Sequence, residues 1–162
     1  MPIPEELPAA AGATVTHVDA SKGMVTWAKE NAVSSGLKDA PIRWLVDDCV
    51  KFVEREIRRG NTYDAIIMDP PSYGRGPKGE IWKIEDMIHP LIRLCAKILS
   101  EDALFFLVNS YTTGLAPAVL TYMISTELKS WNGHVDSQEI GLPVTNSGLV
   151  LPCGASGRWE SR

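Results

Sequence analysis

Short apolar runs alternate along this chain with segments in which apolar residues recur every three or four positions. The first pattern predicts buried strands and the second predicts helices with one apolar face. Val15-Thr16-His17-Val18 reads as a strand ending in Asp19. Ser21 follows as an N-cap, with Met24, Trp27, Ala28, Asn31 and Ala32 at helical spacing and Gly36 as the stop. Ile42-Arg43-Trp44-Leu45-Val46 predicts a second strand, ending in Asp47-Asp48. Val50, Val53 and Ile57 mark the buried face of the next helix, which Gly60-Asn61 terminates, and Ala65-Ile66-Ile67-Met68 predicts a third strand.

The stretch from Gly74 to Gly79 carries no regular pattern. Proline fits the first turn of a helix but not its interior, so a helix is expected to start near Pro90, after a looser turn around Trp82 to Ile88. Its stripe would be Leu91, Leu94, Cys95 and Ile98. Leu104-Phe105-Phe106-Leu107-Val108 predicts a fully buried strand ending in Asn109-Ser110. Pro117 opens a last helix with Leu120, Met123, Ile124 and Leu128 on one face. The tail predicts two strands, roughly His134 to Ile140 and Leu149 to Leu151, with Pro143 and Asn146-Ser147-Gly148 at the turn.

Strands alternating with helices imply an α/β chain with a mostly parallel sheet and right-handed crossovers, completed by a C-terminal antiparallel hairpin. There is no repeat, low-complexity tract or linker, so residues 1–162 are expected to form a single domain.

Composition narrows this little. Hydrophobic residues make up 44% and charged residues 22%, which excludes disorder and fibrous structure as readings. No apolar run approaches a membrane span, and the first residues lack the basic start and apolar stretch of a signal peptide. The net charge of −4 argues against an extended nucleic-acid surface but not against a local basic patch. Cys49, Cys95 and Cys153 are too far apart for a disulfide framework or a metal motif. A reducing cytoplasm is therefore expected, and no metal site.

The most informative residues are Asp69-Pro70-Pro71-Ser72-Tyr73, directly after the third strand. Two prolines cannot continue a ladder, because each lacks an N–H and has φ fixed. The strand therefore stops on a carboxylate, two stiff residues, a hydroxyl and a ring, at the edge where open α/β sheets bind ligands. Asp19, Asp47-Asp48 and Asp69 end three successive strands and are expected to line one crevice. An acid at a strand end can accept both hydroxyls of a ribose. Taken singly, Asp19 and Asp48 read equally well as helix caps or turn formers.

With these residues in view, the run from Ala13 to about Trp159 resembles class I S-adenosylmethionine-dependent methyltransferases, in the branch of large-subunit ribosomal RNA methyltransferases. The most specific match is Asp69-Pro70-Pro71-Ser72-Tyr73 with Gly74-Arg75-Gly76-Pro77-Lys78-Gly79; Val18-Asp19-Ala20-Ser21 and Val46-Asp47-Asp48 resemble two cofactor motifs. The resemblance implies a Rossmann-like fold, S-adenosylmethionine as cofactor and RNA as partner. It implies that Asp19 binds the ribose hydroxyls, that Ala20 and Ser21 pack near the adenine, and that Asp48 accepts from the adenine amino group beside the Cys49 backbone. Asp69 would sit near the sulfonium and the transferred methyl. Pro70 and Pro71 would present carbonyls to the target base, Tyr73 could stack on it, and Ser72, Arg75 and Lys78 would contact the substrate. The competing readings are an ordinary loop aromatic for Tyr73 and a plain surface loop for Arg75 and Lys78. Lys51, Arg55, Arg58 and Arg59 share a helix face that reads as solvated rather than as a phosphate site.

The family's first strand and glycine-rich loop lie about 20 residues before the ribose acid. Asp19 is too near Met1 for that, and Ala9 to Ala13 resembles the end of the helix that follows such a loop. The chain is thus expected to begin after the first motif, to bind S-adenosylmethionine weakly or not at all by itself, and to need a second chain, a rearranged terminus or a further segment to complete its sheet. In relatives that methylate cytosine C5, the region after the Leu104–Val108 strand carries a nucleophilic cysteine. Asn109-Ser110-Tyr111-Thr112-Thr113-Gly114 has none, which favours a base nitrogen as the acceptor. Two other functions compete: a non-catalytic remnant serving as a binding or scaffolding module, and a dinucleotide oxidoreductase, in which Asp-Pro-Pro would have no role.

Overall fold

The computed structural model describes residues 6–76, 79–112 and 114–162. The chain divides into two compact units, Met1–Arg58 and Arg59–Arg162.

The first unit contains α1 (Glu6–Ala10), β1 (Val15–Asp19), α2 (Lys22–Ser34), β2 (Ile42–Val46) and α3 (Cys49–Arg59). β1 and β2 pair in parallel, from Val15 opposite Ile42 to Asp19 opposite Val46, as the βαβ pattern predicts. The Ser21 hydroxyl accepts from the Met24 amide at 3.3 Å and caps α2, and Gly36, at φ +77°, follows its end. The buried side of α2 differs from the expected one. It is Val25, Ala28 and Ala32, whereas Met24 and Trp27 are exposed. The three buried residues follow the i, i+3, i+7 stripe, and two of them are alanines that let the helix lie close to the strands. On α3 the buried residues are Phe52, Val53 and Glu56, with Ile57 at the surface. The large Phe52 ring draws the face around from the predicted Val50–Val53–Ile57 line.

The second unit holds β3 (Ala65–Met68), β4 (Tyr73–Arg75), β5 (Ile81–Lys83), α4 (Ile84–Ala96), β6 (Phe105–Ser110), α5 (Pro117–Glu127), β7 (Gly133–Pro143) and β8 (Val150–Ser161). The main sheet has the order β3-β6-β8-β7. β3 and β6 are parallel, while β8 runs antiparallel to both β6 and β7. The tail strands are longer than predicted, and Pro143 ends β7 rather than standing in the turn. β8 lies between β6 and β7, so it gains partners on both sides, which carries its ladder out to Ser161.

β6 alternates rather than being buried throughout. Phe106, Val108 and Ser110 have no exposure, and Leu104 lies outside the strand at the surface. The core joins Phe106 and Val108 to Trp159 and Ala155 of β8 and to Leu120, Met123, Ile124 and Leu128, the predicted face of α5. A Cβ on Gly157 would lie 2.9 Å from the Leu120 Cβ, so this glycine lets α5 approach β8 closely.

Two expectations around Pro90 are corrected. The glycine-rich stretch is flanked by a small antiparallel ribbon, β4 with β5, in which Tyr73 faces Lys83. α4 starts at Ile84, six residues before Pro90. A proline inside a helix costs ~3 kcal/mol. Ile84 and Ile88 are both buried, at about 1.5–3 kcal/mol each, and outweigh that cost.

Candidate active site

In the first unit, β1 and β2 bring two acids side by side. The ladder continues past the strands, as the Asp47 amide donates to the Asp19 carbonyl at 3.0 Å. Asp19 Oδ1 accepts from the Ser21 amide at 2.6 Å, which fixes the turn carrying Ala20 and Ser21. Asp48 Oδ1 accepts from the Lys51 amide at 3.0 Å, at the start of α3. Each acid thus forms the turn or cap that the simpler reading assigned to it. Each does so through one oxygen, leaving the other without a partner among the described residues. Asp47 is committed differently. Its carboxylate pairs with Arg55, whose hydrogen bond holds it below the usual carboxylate value, and it also accepts from the Asp48 amide at 2.9 Å. The pairing takes Arg55 out of the expected solvated face. The Cys49 thiol donates to the Val18 carbonyl at 3.6 Å, tying the start of α3 to the end of β1.

Such an arrangement suits a nucleoside. Two carboxylate oxygens at adjacent strand ends can accept from a diol and from an exocyclic amine. The residues present therefore fit the adenosine part of the cofactor that the sequence implies.

The second unit carries the Asp-Pro-Pro turn. β3 ends at Met68, opposite Val108 of β6, so Asp69 follows β3 where β6 runs on through Asn109 to Ser110. Asp69 is exposed and Pro70 is buried. The Pro71 carbonyl accepts from the indole N–H of Trp82 on β5 at 2.6 Å. The Ser72 carbonyl accepts from the Ile84 amide at 3.1 Å, joining the turn to the start of α4. Ser72 Oγ lies 2.5 Å from Thr112 Oγ1, and the Thr112 amide donates to Ser110 Oγ at 3.2 Å. Tyr73 is 51% exposed, so its ring is accessible, and its hydroxyl accepts from Arg75 Nε at 3.0 Å. Lys78 lies outside the described residues.

The loop after β6 has its own support. Asn109 Oδ1 accepts from the Ser156 hydroxyl at 2.8 Å. Gly154, at φ +147°, lies so close that a Cβ there would meet the Ser110 carbonyl and stand 2.8 Å from the Tyr111 Cα. Only glycine allows that approach.

Trp82, Thr112 and Gly154 were not identified from the sequence. Their partners lie 11, 40 and 44 residues away, and none belongs to a local motif. The sequence signal available was the glycine among apolar residues at 154, which marks a close backbone approach. Among the described residues there is no cluster of side chains able to hold a metal ion, and no helix is long and apolar enough to cross a membrane.

Together, the parallel strand ends, the paired acids and the Asp-Pro-Pro turn define an α/β chain with the Rossmann-like fold of S-adenosylmethionine-dependent methyltransferases. The comparison with solved structures supports this class directly. A SAM-dependent methyltransferase from Agrobacterium tumefaciens is 41% identical, with a TM-score of 0.88 over 95% of this chain and 51% of that one. The SMU.776 structure, complexed with SAH, shares the fold at 23% identity and a TM-score of 0.71, over 89% of this chain and 38% of that one. Among curated proteins, the Ribosomal RNA large subunit methyltransferase K/L of Pseudoalteromonas atlantica is 36% identical over 87 residues, 53% of this chain and 12% of that protein. The methyltransferase K of Neisseria meningitidis is 28% identical over 94 residues, 57% of this chain and 27% of that protein. The chain therefore resembles the S-adenosylmethionine-dependent methyltransferases, and its curated relatives are large-subunit ribosomal RNA methyltransferases. It spans only a minor part of those curated relatives and about half of the Agrobacterium protein. No family model matches it.

Proposed function

We propose that this chain is the catalytic part of an S-adenosylmethionine-dependent methyltransferase that methylates a nitrogen of a nucleobase in ribosomal RNA. The observation that carries the proposal is the Asp69-Pro70-Pro71-Ser72-Tyr73 turn at the end of β3, held to the loop after β6 by Ser72 and Thr112. Bound S-adenosylmethionine supplies a methyl group already activated on a sulfonium, so the protein's task is alignment.

Each residue then has a defined part. Asp19 holds the ribose diol, Ala20 and Ser21 pack along the adenine, and Asp48 with the Cys49 backbone receives the adenine amino group. On the acceptor side, Asp69 and the Pro70 carbonyl accept from the target amino group and aim its nitrogen. A nitrogen that gained the methyl group would have one proton to lose, and the Asp69 carboxylate would accept it. Pro71 serves differently from its neighbour, since its carbonyl is already engaged by Trp82 and stiffens the turn. Tyr73 stacks on the unpaired base, its ring braced by Arg75.

The test uses the full-length protein, tritiated S-adenosylmethionine and ribosomal RNA lacking its natural methyl groups. Asp69→Ala is expected to lower methyl transfer by about a hundredfold or more while cofactor affinity changes little. Transfer at the parent rate in that variant would remove Asp69 from the mechanism. Label incorporated at a pyrimidine C5 would overturn the choice of nitrogen.

A further inference from the structure

We propose that the pocket between the end of α5 and the start of β7 binds a small organic oxyanion, with a phosphate or carboxylate head and a flat body. The pocket measures about 350 Å³, within the range of small-molecule sites, and Ser125, Lys129, Trp131, Gly133 and Trp159 are among its lining residues. It lies apart from the reaction turn. Trp159 pairs with Phe106 near the start of β6, whereas Asp69 follows β3 beyond the Met68–Val108 pair.

Trp159 carries the inference. The residue is 2% exposed, yet its indole N–H has no hydrogen-bond partner among the described residues and is not sealed off by the surrounding protein. A buried tryptophan N–H normally has an acceptor. A Cβ on Gly133 would collide with Trp159 Nε1, so the glycine leaves the indole edge uncovered. Packing of the ring on the glycine backbone accounts for the buried indole but gives its N–H no acceptor. Ser125 and Lys129 bring a hydroxyl and an ammonium to the same pocket, and neither side chain has a partner among the described residues. The Trp131 indole is already engaged, donating to the Ser100 carbonyl at 2.9 Å, which fixes its ring as a flat wall. His134 alternates to the other side of β7 from Gly133 and Val135, so its side chain is not counted. No Asp or Glu lines the pocket among the described residues. An indole N–H, a hydroxyl and an ammonium suit acceptor oxygens that carry negative charge, whereas Lys129 would repel a cation.

NMR of the full-length protein, isotopically labelled at its tryptophan nitrogens, tests this with phenyl phosphate and benzoate as probes. Neither probe contains the adenosine that the strand-end acids would bind. Both are expected to shift the Trp159 indole N–H resonance, identified by its loss in Trp159→Phe, with dissociation constants of about 10 μM to 1 mM. The tighter probe names the head group. Lys129→Ala should weaken binding at least about tenfold with an unchanged thermal melt, because Lys129 is exposed. A Trp159 resonance that neither probe moves at about 10 mM overturns the proposal and leaves water as the partner of the N–H. Binding that Lys129→Ala leaves unaltered also overturns it, as does displacement of the probe by S-adenosylmethionine.

Discussion

The indole N–H of Trp82 donates to the carbonyl of Pro71 at 2.6 Å, bridging the ribbon strand β5 to the turn that follows β3. The Asp-Pro-Pro turn is thus stiffened twice, by proline rings along the chain and by a tertiary donor across it. It also separates the two prolines, since the structure gives this tertiary donor to the Pro71 carbonyl. Trp82→Phe keeps a ring and removes the donor. A single neutral hydrogen bond contributes about 0.5–1.5 kcal/mol, so a small drop in melting temperature is expected. If the bond also sets the turn, kcat for methyl transfer falls by about tenfold with KM for RNA little changed. A lower melt with unaltered kcat would limit Trp82 to packing.

Asp19 offers a cleaner separation of roles, because one oxygen closes its own turn and the other is open to a ligand. Asp19→Asn retains an oxygen for the Ser21 amide but replaces the carboxylate that would receive a diol. The affinity for S-adenosylmethionine should fall by about ten- to a hundredfold while the thermal melt stays within about 2 °C of the parent. Calorimetric titration of the full-length protein reads the first quantity. Equal affinity in parent and variant would show that the ribose is held elsewhere.

Away from the reaction turn, Glu127 of α5 joins His89 and Arg93 of α4, at 2.7 Å and 3.1 Å. Burial pushes the Glu127 carboxyl up, but the hydrogen bonds from His89 and Arg93 act against it and leave it below its ordinary value. A carboxyl lowered on folding stabilises the fold above its unfolded value, and that contribution is lost as pH falls through the folded value. Glu127→Gln is therefore expected to cost about 1–2 kcal/mol near pH 7. The difference from the parent should shrink below about pH 4 and vanish once both forms are uncharged. Denaturant titrations at several pH values measure it, and a pH-independent difference would mean that packing, not charge, is responsible.

Strand positions were the most legible part of the fold. β1, β2 and β3 run where the apolar runs predicted, because each is short, bounded by acids or glycine and rich in β-branched residues. Helix existence was legible as well, but the buried side was not. On α2 and α3 the sequence offers more than one apolar stripe, and the strands beneath choose between Val25 and Met24, or between Phe52 and Ile57. The start of α4 misled for an energetic reason. Local propensity stops a helix at Pro90, and the burial of Ile84 and Ile88, visible only after folding, carries it through.

By itself the sequence determined the identity and order of the chemical groups: acids at the ends of the first three strands, two prolines after Asp69, and no cysteine from Asn109 to Gly114. These are local facts, since a strand end and an X-Pro-Pro turn are properties of adjacent residues. Only the tertiary structure decided which of those groups are spoken for. Arg55 engages Asp47, Trp82 engages the Pro71 carbonyl, and Thr112 meets Ser72 from 40 residues away. Hydrogen bonds act over about 3 Å, so partners distant in the chain become partners only once the sheet and its helices have brought them together.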